Sequence, residues 1–454
     1  MELLDFENRA LITDFYQLTM SASYFEQKHN PIATFEMFIR SLPENRGYLV
    51  FAGLEQALEY LKEMKFLPEE VEYLKSLPAF KRISKEFFDF LLDFKFTGEV
   101  WAMEEGEPFF AGEPILQVRA PLIQAQMVET YLLSVINFQT LIATKGSRVA
   151  AAAKGRQVVD FGARRAHGPE ASVLAARAAI IGGCATTSNV YAAKKLGLSP
   201  SGTMAHSFIM SYENDRQAFE KYFNNYPENA VLLLDTYDTI HAAHIVSEMK
   251  GDIRGIRLDS GDLLQLSKSV RRILDKAGKK STQIFASGDL NEYIIAELVH
   301  KKAPIDAFGV GTELVTSKDA PALGGIYKIV EVETEKGVKY TLKLSSAKAT
   351  YPGRKQVWRR DGDKGLYRED VISRAEEKLA GRPLLRKVVE KRKVLVEFPD
   401  ILEIQKKTLS ELKKFPARVK SLSSPGHYPV KYSEKLRQLR QKMTREIKRA
   451  QGLF

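Results

Sequence analysis

Cysteine is almost missing from this chain of 454 residues: Cys184 is the only one. A single thiol excludes an internal disulfide framework and any structural metal site built from several cysteines. Its context, AIIGGCATTSN, reads as a packed helix in which Cys184 is a small buried residue. No apolar run reaches the roughly 18 residues that a membrane-spanning helix needs. The first 16 residues alternate apolar and acidic positions and lack the basic start and apolar middle of a signal peptide, so a cytoplasmic protein is expected. The pattern G-x-x-x-x-G-K-[ST] does not occur, and any use of ATP must therefore avoid the P-loop architecture. His241 and His244 stand three residues apart on one expected helix. Without a Cys, His or HExxH partner they read as a helix face rather than a zinc site.

What is present is ordinary for a globular protein. Hydrophobic residues make up 44% and charged residues 28%, values that exclude global disorder. The length allows two or three domains. The net charge of +11 is uneven: residues 401–454 hold 14 Lys or Arg against 4 Asp or Glu, so the first 400 residues are close to neutral. Such a tail can bind RNA or a membrane surface, or cover an acidic face of its own protein or of a subunit neighbour. Its aromatics, Phe415, Tyr428, Tyr432 and Phe454, lack the interleaving of an RNA-binding sheet, which favours the second reading.

The periodicity predicts helices over residues 14–25, 53–62 and 69–77, and a strand over 33–40. Residues 99–119 read as short antiparallel pieces punctuated by Gly106, Pro108, Gly112 and Pro114. From about 120 to 325 apolar runs recur, each ending in Gly, Asp, Ser or His. They are 158–159 into DFGARRAHG, 203–204 into AHS, 231–234 into DTYD, 253–258 into DSGD, 284–286 into SGD and 305–308 into GVGT. Helix-length stretches separate them, as in residues 261–276 with an apolar stripe of Leu263, Leu264, Leu266, Val270, Ile273 and Leu274. Strand, polar loop and helix repeated six times describes a βα-barrel or an open parallel sheet, with the polar residues at the catalytic ends of the strands. Strands return over 326–333, 338–344, 353–357 and 388–398. Residues 1–119 and 326–400 are thus expected to form a discontinuous, mostly antiparallel α+β domain, residues 120–325 the α/β domain, and 401–454 a basic helical extension.

Four constellations carry chemistry. Ser287-Gly288-Asp289 and Gly309-Val310-Gly311-Thr312 close the last two strand-like runs, where glycine lets backbone N–H groups approach a phosphate. In Arg257-Leu258-Asp259-Ser260-Gly261-Asp262, Asp259 can hold ribose hydroxyls or a Mg²⁺ ion bound to pyrophosphate, whereas Asp262 fits a helix N-cap. Phe161 with Arg164 and Arg165 offers a ring and two cations after a strand, costly in a buried loop unless an anion awaits them. His206, between Thr203 and Ser207, can act as a nucleophile, with Asp235 placed to orient its second nitrogen.

Taken together, TDFYQLTM (residues 13–20), FGARRAHG, GTMAHS, IRLDSGD and GVGTELVTS, in that order, closely resemble the nicotinate phosphoribosyltransferase family over residues 8 to 430. The resemblance implies an irregular α/β-barrel of the type II phosphoribosyltransferases with a second domain. It also implies a homodimer with shared sites that uses nicotinate, PRPP, ATP and Mg²⁺, the metal carried on PRPP rather than held in a fixed protein site. By motif it points to Tyr16, Phe161, Arg164, Thr203 and Arg257 for nicotinate, and to His206 as the residue phosphorylated by ATP. Asp14, Arg165, Asp259, Ser287, Gly288, Asp289, Gly309, Gly311 and Thr312 fall to PRPP and its phosphates, and Asp235 and Arg257 join His206 at the catalytic centre. Some relatives carry a cysteine-rich C-terminal metal site, which a chain with only Cys184 cannot have. The nearest rival is the nicotinamide-using relative, which binds the amide with an aspartate in the stretch matching GGCATTSN. No carboxylate stands there, and this favours the acid as substrate. Quinolinate phosphoribosyltransferase, with a dianionic substrate and no phosphohistidine motif, fits less well.

Overall fold

Six short parallel strands, mostly buried, set the frame of the barrel half. They are Gln157–Asp160 (β1), Thr186–Thr187 (β2), Val231–Leu233 (β3), Gly255–Leu258 (β4), Gln283–Ala286 (β5) and Ala307–Val310 (β6) in the computed structural model, which describes residues 9–344 and 350–452. Residues 1–8 of the N-terminal stretch and Phe454 of the tail lie outside them. The sheet order is β2-β1-β6-β5-β4-β3, all neighbours parallel, the ladder of an irregular βα-barrel. Register levels the strand ends. Thr187 lies opposite Asp160, Asp160 opposite Val310, Phe308 opposite Ala286, and Ala286 opposite Leu258. The loops that follow therefore open on one edge.

Two local expectations fail in this half. Residues 203–204 form no strand; the second strand is Thr186–Thr187, inside the stretch expected to be helical. The helix Pro169–Gly182 ends at Gly183, whose φ of 120° an L side chain rarely adopts, and the β-branched threonines then extend. Cys184 accordingly lies in the buried turn between helix and strand, where burial raises its thiol pKa. The helix Leu263–Lys276 lies within the range read from its stripe, with Val270 and Leu274 buried.

By contacts the chain divides into two units. Unit 1 comprises Met1–Thr140, Ala322–Pro399 and Ser410–Phe454, and unit 2 comprises Leu141–Pro321 and Asp400–Leu409. Unit 1 is built on a seven-stranded antiparallel sheet in the order 337–340, 325–334, 32–39, 114–121, 99–102, 386–390, 393–394. The strand expected over 388–398 is instead a hairpin, turned at Lys391 and Arg392, both at positive φ. A second sheet of four strands contains Lys355–Asp361 and Tyr367–Arg374, and Val430–Tyr432 of the basic tail adds to it in parallel. The helix Lys85–Leu92 and the strand Tyr367–Arg374 had no counterpart in the sequence reading. The final helix Glu434–Ala450 is capped by the Ser433 hydroxyl, which accepts from the Leu436 N–H at 3.2 Å. No helix among the described residues is long and apolar enough to cross a membrane.

Candidate active site

Beyond the carboxyl ends of β1, β4, β5 and β6 lies a cavity of about 480 Å³, within the range of small-molecule sites. Phe161, Arg164 and Arg165 enter it from the loop after β1. Ser188, Gly202, Thr203 and His206 come from the segment after β2. Arg257 and Asp259 belong to the end of β4, and Ser287, Gly288 and Asp289 follow β5. Gly309, Gly311, Thr312 and Glu313 complete the wall at β6.

The loops are held tightly. Asp160, the last residue of β1, accepts from the Gly162 N–H at 2.8 Å and from the Thr187 hydroxyl at 2.7 Å, fixing the turn that presents Phe161. Burial pushes the Asp160 carboxyl above its ordinary value, against the pull of those two bonds. Gly309 carries no Cβ because the Phe161 ring lies there: a Cβ would sit 2.3 Å from it. Gly288 has φ of 84°, and a Cβ would meet the Asp259 carbonyl oxygen at 1.9 Å, so the β5 loop packs directly on the β4 loop.

Polar groups run in a chain across the cavity. The Arg257 guanidinium donates to the Thr203 hydroxyl at 2.5 Å, and its other terminal nitrogen stands 3.7 Å from Asp259 Oδ1. Its Nε is buried with no hydrogen-bond partner. Burial pulls its pKa below the usual arginine value and Arg164 adds to this, against Asp259 and Asp235. Asp259 Oδ1 also accepts from the Ser287 hydroxyl at 2.5 Å, and Asp259 Oδ2 lies 3.8 Å from His206 Nε2. His206, which opens the helix His206–Met210, has Nδ1 at 3.1 Å from the Thr236 hydroxyl.

The residue at that imidazole nitrogen is thus Thr236, not Asp235. Asp235 instead accepts from the Asp259 N–H at 3.1 Å and the Ser260 hydroxyl at 2.5 Å. The other oxygen of Asp235 is buried without a partner. Asp262 caps the helix Leu263–Lys276, accepting from the N–H groups of Leu264 and Gln265. His241 and His244 are exposed on the helix Thr239–Glu248.

Asp14 and Tyr16 are not among the residues lining the cavity; both belong to unit 1. Asp14 accepts from the Thr130 hydroxyl at 2.8 Å, and Tyr16 is 47% exposed. Burial, then Glu129 and Asp14, push the Tyr16 phenol upward. Asp160, Thr236, Ser260 and Glu313 stand inside the quoted runs DFGARRAHG, DTYD, IRLDSGD and GVGTELVTS, but the sequence pattern assigned none of them a role. Among the described residues no cluster of three His, Cys, Asp or Glu is arranged to hold a metal ion.

Known proteins share this layout. The quinolinate phosphoribosyl transferase C-terminal domain matches residues 142–320, and the nicotinate phosphoribosyltransferase N-terminal and C-terminal domains match residues 11–137 and 379–440. A nicotinate phosphoribosyltransferase of Mycobacterium tuberculosis is 41% identical over 435 residues, covering 94% of this chain and 92% of that one. A nicotinate phosphoribosyltransferase of Bacillus subtilis is 38% identical, covering 94% of each chain. The crystal structure of human nicotinic acid phosphoribosyltransferase superposes with a TM-score of 0.84 at 26% identity, covering 95% of this chain and 99% of that one. With relatives matched over nearly its whole length, and with a barrel-end cavity of the kind just described, the chain belongs to the nicotinate phosphoribosyltransferase family, enzymes that form a C–N bond to a phosphoribosyl group.

Proposed function

We propose that the cavity condenses nicotinate with PRPP to nicotinate mononucleotide and pyrophosphate, driven by ATP through a phosphorylated His206. The observation that carries the choice of nicotinate is Arg257: a buried guanidinium with one nitrogen unpartnered, beside Thr203 and opposite the exposed Arg164. A carboxylate completes such a site by charge-assisted hydrogen bonds, which a neutral amide matches poorly. The Phe161 ring, seated on Gly309, offers a face for the pyridine. Tyr16, exposed on unit 1, is assigned to the pyridine of a neighbouring subunit in a homodimer with shared sites.

PRPP lies along the phosphate-type loops. Gly309, Gly311 and Thr312 take the 5-phosphate, Asp259 the ribose, and Ser287, Gly288, Asp289 and Arg165 the remaining polar contacts, while Asp14, like Tyr16, is assigned to the site of a neighbouring subunit. The pyridine nitrogen forms its bond to C1 as the C1–O bond breaks, and the electron pair leaves with pyrophosphate. No protein nucleophile attacks carbon; the residues align the reactants and stabilise the developing charges. Mg²⁺ carried on the pyrophosphate would supply further charge neutralisation, with Asp259 of the cavity wall as the carboxylate that would face it. In the tautomer in which Nδ1–H of His206 donates to the Thr236 hydroxyl, Nε2 carries the lone pair that accepts the terminal phosphoryl group of ATP, releasing ADP. Water later removes that phosphate. The enzyme is assigned to the cytoplasm.

The test offers PRPP and Mg²⁺ with nicotinate or nicotinamide, with and without ATP, and follows mononucleotide by chromatography. Nicotinate is expected to react, faster with ATP, and His206→Ala to fall to the ATP-free rate. Product from nicotinamide alone would move the enzyme to the sister specificity, and an ATP effect that survives His206→Ala would remove the phosphohistidine.

A further inference from the structure

We propose that Lys145 is a positioning residue for the phosphate end of PRPP: one buried cation pins the elements that follow the two phosphate-type loops by gathering three carboxylates behind them. The inference rests on the assignment of those loops to PRPP made above.

Lys145 lies in the helix Glu129–Ala152, and its side chain is wholly enclosed. Its ammonium contacts Glu292 Oε2 at 2.5 Å, Asp319 Oδ1 at 2.8 Å and Glu313 Oε2 at 3.5 Å. Each acid has a telling place. Glu292 is the first residue of the helix that follows Ser287-Gly288-Asp289 and is capped by Asn291. Glu313 comes directly after Thr312 in the short helix that follows Gly309 and Gly311, and Asp319 lies just beyond that helix. One side chain therefore links the exits of β5 and β6. Arg148, one turn along from Lys145, donates to Glu292 Oε1 at 2.8 Å. Burial alone would raise the Glu292 carboxyl, but Lys145 and Arg148 hold it below its ordinary value.

A buried ion cluster is seldom the cheapest way to stabilise a fold. The cluster is better understood through Glu313, a residue of the cavity wall beside Gly311 and Thr312. A free carboxylate there would repel the phosphate that the neighbouring N–H groups attract. Lys145 on one oxygen, and Lys318 at 3.3 Å from the other, neutralise it and hold it against the wall.

Steady-state kinetics on the full chain, with the melting temperature measured in parallel, test this. In Lys145→Met the KM for PRPP is expected to rise about tenfold or more while that for nicotinate stays within about twofold, and adding Glu313→Gln should recover most of the loss. KM values that rise together, an unchanged KM for PRPP, or no recovery in the double variant would each overturn the proposal. If Lys145→Met does not fold, Glu313→Asp decides. It keeps the charge but withdraws it from Lys145, and should raise the KM for PRPP about threefold, no change being the contrary result. Gly311→Val separates the two levels of inference. If it leaves the KM for PRPP unaltered, the loop does not hold phosphate and the reading of the site falls. If it raises that KM while the Lys145 and Glu313 variants do not, only the role of Lys145 falls.

Discussion

Two arginines, one in each unit, are treated in opposite ways. Arg359 in unit 1 has a fully enclosed side chain. Its Nε donates to both oxygens of Asp370 at 3.1 and 3.2 Å, one terminal nitrogen reaches Asp370 at 2.6 Å and the Pro108 carbonyl at 2.8 Å, and the other binds Glu107. The rings of Phe415, Tyr367 and Phe110 lie 4.8, 5.3 and 5.9 Å from its guanidinium carbon. Burial would lower its pKa, yet Asp370 and Glu107 carry it above the ordinary value. Arg257 in the barrel is nearly as buried, with 12% of its side chain exposed, but holds one hydroxyl, a carboxylate at 3.7 Å and an unpartnered Nε. Its pKa moves down. The first arginine has every nitrogen answered by its own chain; the second keeps hydrogen-bonding capacity in reserve, which is what a site for an anionic ligand requires.

The largest effect should come from breaking the closed network. Arg359→Met leaves Asp370 buried without its counter-cation and Glu107 with Arg382 as its remaining cation, a loss of about 3–5 kcal/mol. A steep fall in melting temperature, or insoluble protein, is expected, and a variant as stable as the parent would show that unit 1 does not depend on the pair. Arg257→Leu should do the reverse. It removes a charge that is already poorly satisfied, so melting should change little or rise. The value of kcat/KM for nicotinate should drop by about 2–4 kcal/mol, on the order of a hundredfold. Equal losses of stability in the two variants would dissolve the distinction.

The same contrast explains what could be read from the amino acids. The barrel was legible because its functional loops each follow an apolar run, so DFGARR, LDSGD, SGD and GVGT stood out where the period broke. Strand β2 was not, because two threonines make no run, and Thr203-Met204, read as one, forms no strand, its threonine hydroxyl held by Arg257. Unit 1 hid its strand at 367–374 behind Glu369 and Asp370, charged residues that look solvent-facing until Arg359 pairs with Asp370 from the next strand. Lys145 and Thr236 escaped for a related reason: a single polar residue carries no period, and its role depends on partners far away in the chain.

The smallest expected effect divides two carboxylates within one motif. Asp259 and Asp262 stand three residues apart, yet Asp259 faces His206, Arg257 and Ser287, while Asp262 accepts the Leu264 and Gln265 N–H groups at 3.0 and 3.1 Å at the start of a helix. Capping of this kind is worth about 1 kcal/mol. Asp262→Ala should therefore lower the melting temperature slightly and leave both KM values and kcat unchanged. Asp262 also lines a second cavity of about 600 Å³ that shares Asp259, Ser287, Gly288, Asp289 and Leu290 with the first. A fall in activity without a fall in stability would mean that a substrate extends into that second space and that the open region of the barrel is wider than the chain of contacts around Arg257.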